Sequence, residues 1–376
     1  MSPPQAAAAV ALQASPPSSR SGFAAERHYR LSSHAQLRPT GSGGLIAECL
    51  STGAVLPLIN STQVTLTLSF LEATRPADLL EQTEGEKRQA LHAFFEHLHT
   101  TGLLSRVDNE GRALERDPGL ESWEPHDLYF HLRSRRGRTP FTVGGTYHRR
   151  STSPEPALKT PARSLAVSWP KRASSASRPG LSLTEALETR RSKYNVEPID
   201  SDQLGEFLYR TSRITDVRTT AQGETLLRRV YPSGGGFHCL ELYVVTTRCS
   251  GIDRGLYHYR PLEHGLVSMH AENEHIDALL EEARKGTGRL ESEPPVLFIF
   301  SARFQRMTRK YQGLAYSLIL KEVGAAFQTF YLVAADMGLG GCAIGTGDTE
   351  RFCQATRTDF FRESSVGEFI LGGGRR

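Results

Sequence analysis

Three short stretches of this 376-residue chain combine side chains that could do chemistry. Arg190-Arg191-Ser192 sets two guanidinium forks beside a hydroxyl, a donor set suited to a phosphate and to the carbonyl oxygens of a polar ring. Tyr231-Pro232-Ser233-Gly234-Gly235-Gly236 stands just before an apolar run, LELYVVTT. Glycines there let the backbone approach a planar ring closely, and their N–H groups can serve acceptor atoms. Lys310-Tyr311 joins an amine that can take a proton to a phenol that can relay one or orient a ring. A lysine serves as base where burial and nearby positive charge disfavour an ammonium, and Arg306 and Arg309 are close enough in sequence to supply such charge. Each stretch alone also has a plainer reading: a solvated helix end, an ordinary turn, a surface lysine beside a core tyrosine.

Composition narrows the classes. A hydrophobic fraction of 38% and a charged fraction of 23% describe a globular chain with polar tracts, long enough for two modest domains. A net charge of +4, with no Lys/Arg stripe, is too small to argue for nucleic acid. The five cysteines (Cys49, Cys239, Cys249, Cys342, Cys353) are odd in number and form no CxxC pair. Neither a disulfide framework nor a zinc site is expected, and a reducing compartment is. The thirteen histidines include no HExxH; His126 and His131, five apart, miss the i, i+4 ligand spacing, and His238 and Cys239 pack or line the pocket beside the glycine turn. No metal is expected. The Ala-rich start lacks a basic region before its apolar run, and no later stretch approaches the roughly 20 apolar residues of a membrane helix. A cytoplasmic protein, away from membranes, is the expectation.

The elements that must position these residues follow from periodicity. Residues 1–25 are rich in Ala, Pro, Ser and Gly and read as a disordered tail. Residues 26–115 read as a small module: strands around Ser51-Thr52-Gly53, a segment capped by Ser61 or Thr62, a helix over Glu86–Leu103 and a closing strand from Leu104. That order is winged-helix-like. Residues 116–180 read as a linker over the next domain's surface, with one ordered helix in WEPHDLYFHLRSRRGR (Trp123–Arg138). From 181 to 376 the pattern is α+β. Helices begin near Ser182 or Thr184 and at Asp200; strands follow at LELYVVTT, GLYHYRP and PVLFIFSA; then a helix over Gln312–Met337, a Gly-rich loop and a final strand, GEFILGG.

Arg190-Arg191-Ser192, the PSGGG turn and Gly340-Gly341-Cys342-Ala343-Ile344-Gly345-Thr346-Gly347-Asp348 follow one another in an order that resembles the nitroreductase-like flavoproteins. YPSGGGFHCLELYVV, GLYHYRP, the RKY of ARFQRMTRKYQGLAYSLILKEVG, SSVGEFILG and WEPHDLYFHLRSRRGR narrow the resemblance to the azoline oxidases, which form thiazoles and oxazoles in peptides. It covers about Trp123 to Gly373, and the first module resembles, more weakly, winged-helix domains that bind leader peptides. The resemblance implies a nitroreductase-like FMN-binding fold and a homodimer with flavin at its interface. It implies FMN contacts from Arg190, Arg191, Ser192, Pro232, Ser233, Gly234 and Gly235, backbone donors from Ile344, Gly345 and Thr346, and a phosphate contact from Arg375 or Arg376. Two positions after Ser192 the family often has a basic residue where this chain has Tyr194. Lys310 and Tyr311 become the proton-handling pair over the flavin. The implied partners are a precursor peptide and a cyclodehydratase complex. No GxGxxG follows an expected strand, so dioxygen is the expected final electron acceptor. Two rivals remain: a nitroreductase or quinone reductase fed by a nicotinamide, and a non-catalytic scaffold presenting a peptide to a cyclising partner.

Overall fold

The computed structural model describes residues 22–41, 44–108, 110–114, 118–137, 141–159, 164–170, 180–220 and 223–374, in two units, up to Val143 and from Gly144 on. In the first unit β1 (Tyr29–Leu31) pairs with β5 (Leu104–Arg106), and β2 (Ala35–Pro39), β3 (Leu45–Cys49) and β4 (Val55–Leu58) form an antiparallel sheet. Helices α1 (Ser61–Leu68), α2 (Pro76–Leu80) and α3 (Gly85–Thr100) lie between β4 and β5 in the chain, and α4 (Pro118–Glu121) and α5 (Pro125–Arg133) follow. Tyr29, Phe70, Phe95, Leu98 and Leu104 centre its core. The cap of α1 is Asn60, one residue before the expected Ser61, because its side chain accepts from Gln63 N at 2.9 Å. The expected tail is shorter than 25 residues: Phe23 packs its ring 5.4 Å from that of Tyr29, and Ala25 lies against the same core. Residues 1–21 of that tail lie outside the described residues. Arg133 reaches Glu48 at 3.4 Å and sits 3.6 Å over the Phe141 ring, so the later part of this unit includes residues expected in the linker.

The second unit starts with β6 (Gly144–Gly145) and β7 (Val167–Ser168), continues through α6 (Leu183–Thr189), β8 (Ile199–Asp200), α7 (Ser201–Ser212) and the hairpin β9 (Ile214–Thr219) and β10 (Thr225–Arg229). Then come β11 (Leu240–Thr246), β12 (Cys249–Ser250), β13 (Gly255–Arg260), β14 (Gly265–Ser268), α8 (Asn273–Thr287), β15 (Val296–Arg303), α9 (Phe304–Thr308) and β16 (Tyr311–Gln312). Helix α10 (Ala315–Asp336), β17 (Leu339–Ile344), α11 (Thr349–Thr356) and β18 (Glu363–Gly373) complete it. Seven strands form one antiparallel sheet in the order β17-β18-β15-β11-β13-β14-β7. Its two faces follow the two-residue period of each strand. Val296, Phe298 and Phe300 face α7 and α10, whereas Leu297 and Ile299 face α8 and α11. With both faces covered, the central strands read as unbroken apolar runs.

Local chemistry places the ends. Ser182 with Glu185 and Asp200 with Gln203 make capping boxes that start α6 and α7. Helix α10 begins at Ala315 and not at Gln312, because Tyr311 and Gln312 pair with β6 and Gly313 turns the chain at φ +76°. The expected Gly-rich loop after it is largely strand β17, and only Gly345–Asp348 stays outside strand and helix. A Cβ on Gly341 would fall 2.5 Å from Ile370 O, so a glycine is what lets β17 close on β18. Contrary to the sequence expectation, α10 is long and apolar enough to cross a membrane by length and composition. Its Ile319, Val323, Ala326 and Phe330 instead pack in the core, and mid-helix Glu322 is buried.

Candidate active site

Strand β16 and the Gly313 turn present Lys310 and Tyr311 between α9 and α10. Lys310 Nζ lies over three rings, 4.9 Å from the Phe237 centroid, 5.1 Å from Tyr311 and 5.3 Å from Tyr147. A Cβ on Gly235 would stand 2.5 Å from the Tyr311 hydroxyl and 3.0 Å from Lys310 Nζ. Only glycine fits there, and its φ of +63° also requires one. Two stretches singled out by residue type thus meet. Gly234 packs against Met307 and Leu318, and Pro232 is exposed. The Ser233 hydroxyl is engaged within the protein: it donates to Glu322 Oε2 at 2.6 Å and accepts from His238 N at 3.1 Å. What the turn offers outward is backbone. His238, at φ +42°, is buried with Nδ1 3.3 Å from Glu322 Oε1, and burial pushes the Cys239 thiol well up. Arg306 donates to Phe237 O and to Glu155 O, while Arg309 pairs with Glu224 and donates to Thr152 O. Both guanidinium groups are held in place by these partners.

A second cluster forms where α6 ends. Arg190 places its guanidinium 4.9 Å over the Tyr331 ring, and Ser192 Oγ lies 3.0 Å from the Tyr331 hydroxyl. That hydroxyl accepts from Ala343 N at 2.8 Å, and Lys193 N donates to Gly341 O at 2.9 Å. Tyr331 therefore joins the Arg-Arg-Ser stretch to β17, and burial raises its phenol so that it stays protonated. A cavity of about 120 Å³, lined by Arg190, Arg191, Lys193, Tyr331 and Gly341, has the charge and size for a phosphate group. Arg191 turns its guanidinium back to Glu188 O and Arg190 O, capping α6. Lys193 puts a cation in the lining of this cavity, while the Tyr194 ring packs under Arg289 beside the α8 core. Ile344 buries its side chain in that same core, which leaves only its backbone for a ligand. Gly345 and Thr346 are exposed, Thr346 lying against Gly286 of α8. Arg375 and Arg376 lie outside the described residues.

The two clusters use different parts of α10. Glu322 backs the glycine turn and Tyr331 backs the basic cavity, nine residues and about 14 Å of helix axis apart.

Residues 187–372 match the Nitroreductase family, and residues 29–140 match the cyanobactin oxidase ThcOx family. The second unit carries a nitroreductase-family domain. Both matched families are oxidoreductases, which places this chain among them. It is 28% identical to MJ1384 of Methanocaldococcus jannaschii, named for a nitroreductase, over 44% of this chain and 79% of that protein. It is 32% identical to the trifolitoxin-processing protein TfxB of Rhizobium leguminosarum bv. trifolii over 43% of this chain and 44% of that one. It is 27% identical to the microcin B17-processing protein McbC of Escherichia coli over 35% and 48%. The chain thus spans about half the length of TfxB and McbC. A chain of the E. coli microcin synthetase McbBCD complex with truncated pro-MccB17 superposes at TM-score 0.42 and 18% identity, over 70% of this chain and 99% of that one.

Within the nitroreductase-family domain, the loop after β17 rests on an unusual carboxyl group. Glu368 of β18 stands opposite Ile344, and any Cβ on Gly347 would overlap its side chain. Burial pushes Glu368 up to about 7. Its folded value lies above the ordinary 4.5, so the folded protein keeps a proton that the unfolded chain loses. The resulting stability is full below the ordinary value and is lost as pH rises toward about 7. Glu368→Gln, always neutral, should be more stable than the parent near pH 8 by up to about 3 kcal/mol, with the gap closing toward acid pH. Urea unfolding at both pH values measures it; a constant gap would mean that Glu368 ionises normally.

Proposed function

We propose that the chain is an FMN-dependent dehydrogenase that oxidises thiazoline or oxazoline rings of a ribosomally made precursor peptide to thiazoles or oxazoles, as a cytoplasmic homodimer. The observation that carries this reading is Lys310 and Tyr311 set against Gly235, an amine and a phenol brought together on a glycine turn. Aromatising an azoline removes a proton from one ring carbon and a hydride from its neighbour. FMN, when bound, supplies the hydride acceptor. Lys310 Nζ takes the proton and Tyr311 orients the ring, both beside the Gly235 turn. Arg190 and Lys193 hold the phosphate in their cavity.

The separation of the two clusters supports the homodimer, because a second copy can bring its Lys310 turn to this copy's basic cavity. Unburied apolar side chains on the same elements agree: Leu183 and Leu187 of α6 are 68% and 50% exposed, Tyr316 and Leu320 of α10 are 47% and 39%. Dioxygen is the proposed electron acceptor. The test is direct: purified protein given an azoline peptide in air should remove two hydrogens per ring by mass, with peroxide formed. Fast reduction by a nicotinamide without azoline turnover would favour the nitroreductase reading, for which MJ1384 speaks. Protein that binds no flavin would favour a scaffold.

The first unit, matched to ThcOx, is proposed to hold the peptide's leader, with a cyclodehydratase as the partner that makes the azoline. Deleting residues 1–143, the whole first unit, should weaken binding of full-length precursor while a short azoline peptide is still turned over. Calorimetry with both peptides checks this, and unchanged precursor binding by a folded truncation would make the unit structural.

A further inference from the structure

The stretch after Gly144, expected as a linker over the next domain's surface, is built into the Lys310 site. Gly145 stands opposite Tyr311 in the β6–β16 pairing, and Tyr147 N donates to Lys310 O at 3.0 Å. A Cβ on Gly145 would lie 3.3 Å from Lys310 Cε, so this strap passes in contact with the lysine stem. Further on, Arg303, Arg306 and Arg309, three residues apart, donate to Pro156 O at 2.6 Å, Glu155 O at 3.0 Å and Thr152 O at 3.0 Å. Lys159 closes the far end on Glu363 at 2.6 Å. Four side chains, a backbone bond and the β6–β16 pairing are more than a tether needs.

Tyr147 is where the strap meets the amine. Its φ of +51° is in the left-handed region, which a bulky residue adopts only when its surroundings hold it there. It is held by the backbone bond to Lys310 O, by Arg150 N donating to its carbonyl, and by its hydroxyl, which donates to buried Glu224 Oε2 at 3.0 Å while Arg309 pairs with the same carboxylate. The strained residue so fixed turns its ring to Lys310 Nζ. The Phe237 and Tyr311 rings also stand near the amine, and a Cβ on Gly235 would lie 3.0 Å from it.

We propose that Tyr147 is a positioning residue for Lys310, its ring confining the amine above the Gly235 turn. The proposal rests on the reading of Lys310 as the proton acceptor, and its test separates the two. In the flavin-loaded full chain, trace acetylation of Lys310 is compared with that of exposed Lys87 by peptide mass spectrometry. Tyr147→Ala should raise relative labelling of Lys310 several-fold and lower kcat on an azoline peptide by about tenfold, with KM little changed. Tyr147→Phe, which keeps the ring and loses the Glu224 bond, should restore most of both. If the alanine variant unfolds, Tyr147→Leu replaces it, filling the space without a ring face. Parental labelling in the ringless variants, or a phenylalanine variant no better than they are, overturns the proposal. A Lys310→Ala control that still turns over substrate sinks the base assignment instead, and the labelling then still decides whether Tyr147 confines the amine.

Discussion

Lys310→Ala should keep its flavin and its fold and oxidise azolines at least about 10²-fold more slowly than the parent, the usual contribution of a positioned proton acceptor. The expectation comes from placement. Lys310 is half-buried between the Gly235 backbone and three ring faces, at the point where α9 hands over to α10. No acidic side chain forms an ion pair with it among the described residues, whereas Arg303, Arg306 and Arg309 nearby are each bound to carbonyls or carboxylates. Those three arginines hold the structure around Lys310, which keeps its amine outside these pairs. Tyr311→Phe should cost less, about tenfold, if the hydroxyl only orients the substrate, and as much as Lys310→Ala if it carries the proton itself. Single-turnover flavin reduction by an azoline peptide measures both without interference from the oxygen step. Parental rates in Lys310→Ala would move the base elsewhere. His238 is then a poor substitute, because it is buried against Glu322 and helps hold the glycine turn.

How much of this was legible in the sequence depended on whether a residue's role was local. The apolar runs of β11 and β15 are buried on both faces, so composition alone marks them. The capping boxes of α6 and α7 are written within four residues. Helix α8 was missed: Ile276, Leu279, Leu280 and Ala283 stand at helical spacing, but the charged residues between them hid the stripe. The β9–β10 hairpin gave little signal, since most of β9 is exposed and polar. The glycines were legible as a turn, and the structure adds why Gly235 in particular admits no side chain. Roles that depend on long-range packing were not legible. Nothing in the sequence says that Ser233 spends its hydroxyl on Glu322, eighty-nine positions away, or that Tyr331 ties Ser192 to β17. Nor does the Pro/Ser-rich look of residues 144–159 reveal a strap, because its bonds run through backbone carbonyls that carry no sequence signature.

Replacing Arg190 and Lys193 together by alanine should release FMN. Ser192 was the natural partner for Arg190 on sequence grounds, but its hydroxyl is engaged with Tyr331, whereas Lys193 lines the cavity and its main chain is fixed to Gly341. Hydrogen bonds to charged groups contribute about 1.5–3 kcal/mol each, so losing both cations should weaken FMN by roughly 10²- to 10⁴-fold. Arg190→Ala also removes the guanidinium from the Tyr331 ring, a further and smaller loss. The phosphate is the part of FMN that these cations address, which allows an internal control. Riboflavin, which lacks the phosphate, should bind parent and double variant alike, and added salt should weaken FMN binding to the parent more than to the variant. Fluorescence titration of apoprotein with FMN and riboflavin measures all four affinities. Equal FMN affinity in parent and variant would empty the cavity of its assigned phosphate. Equal losses for both ligands would show that the two residues shape the fold around α6 and β17 and do not hold an anion.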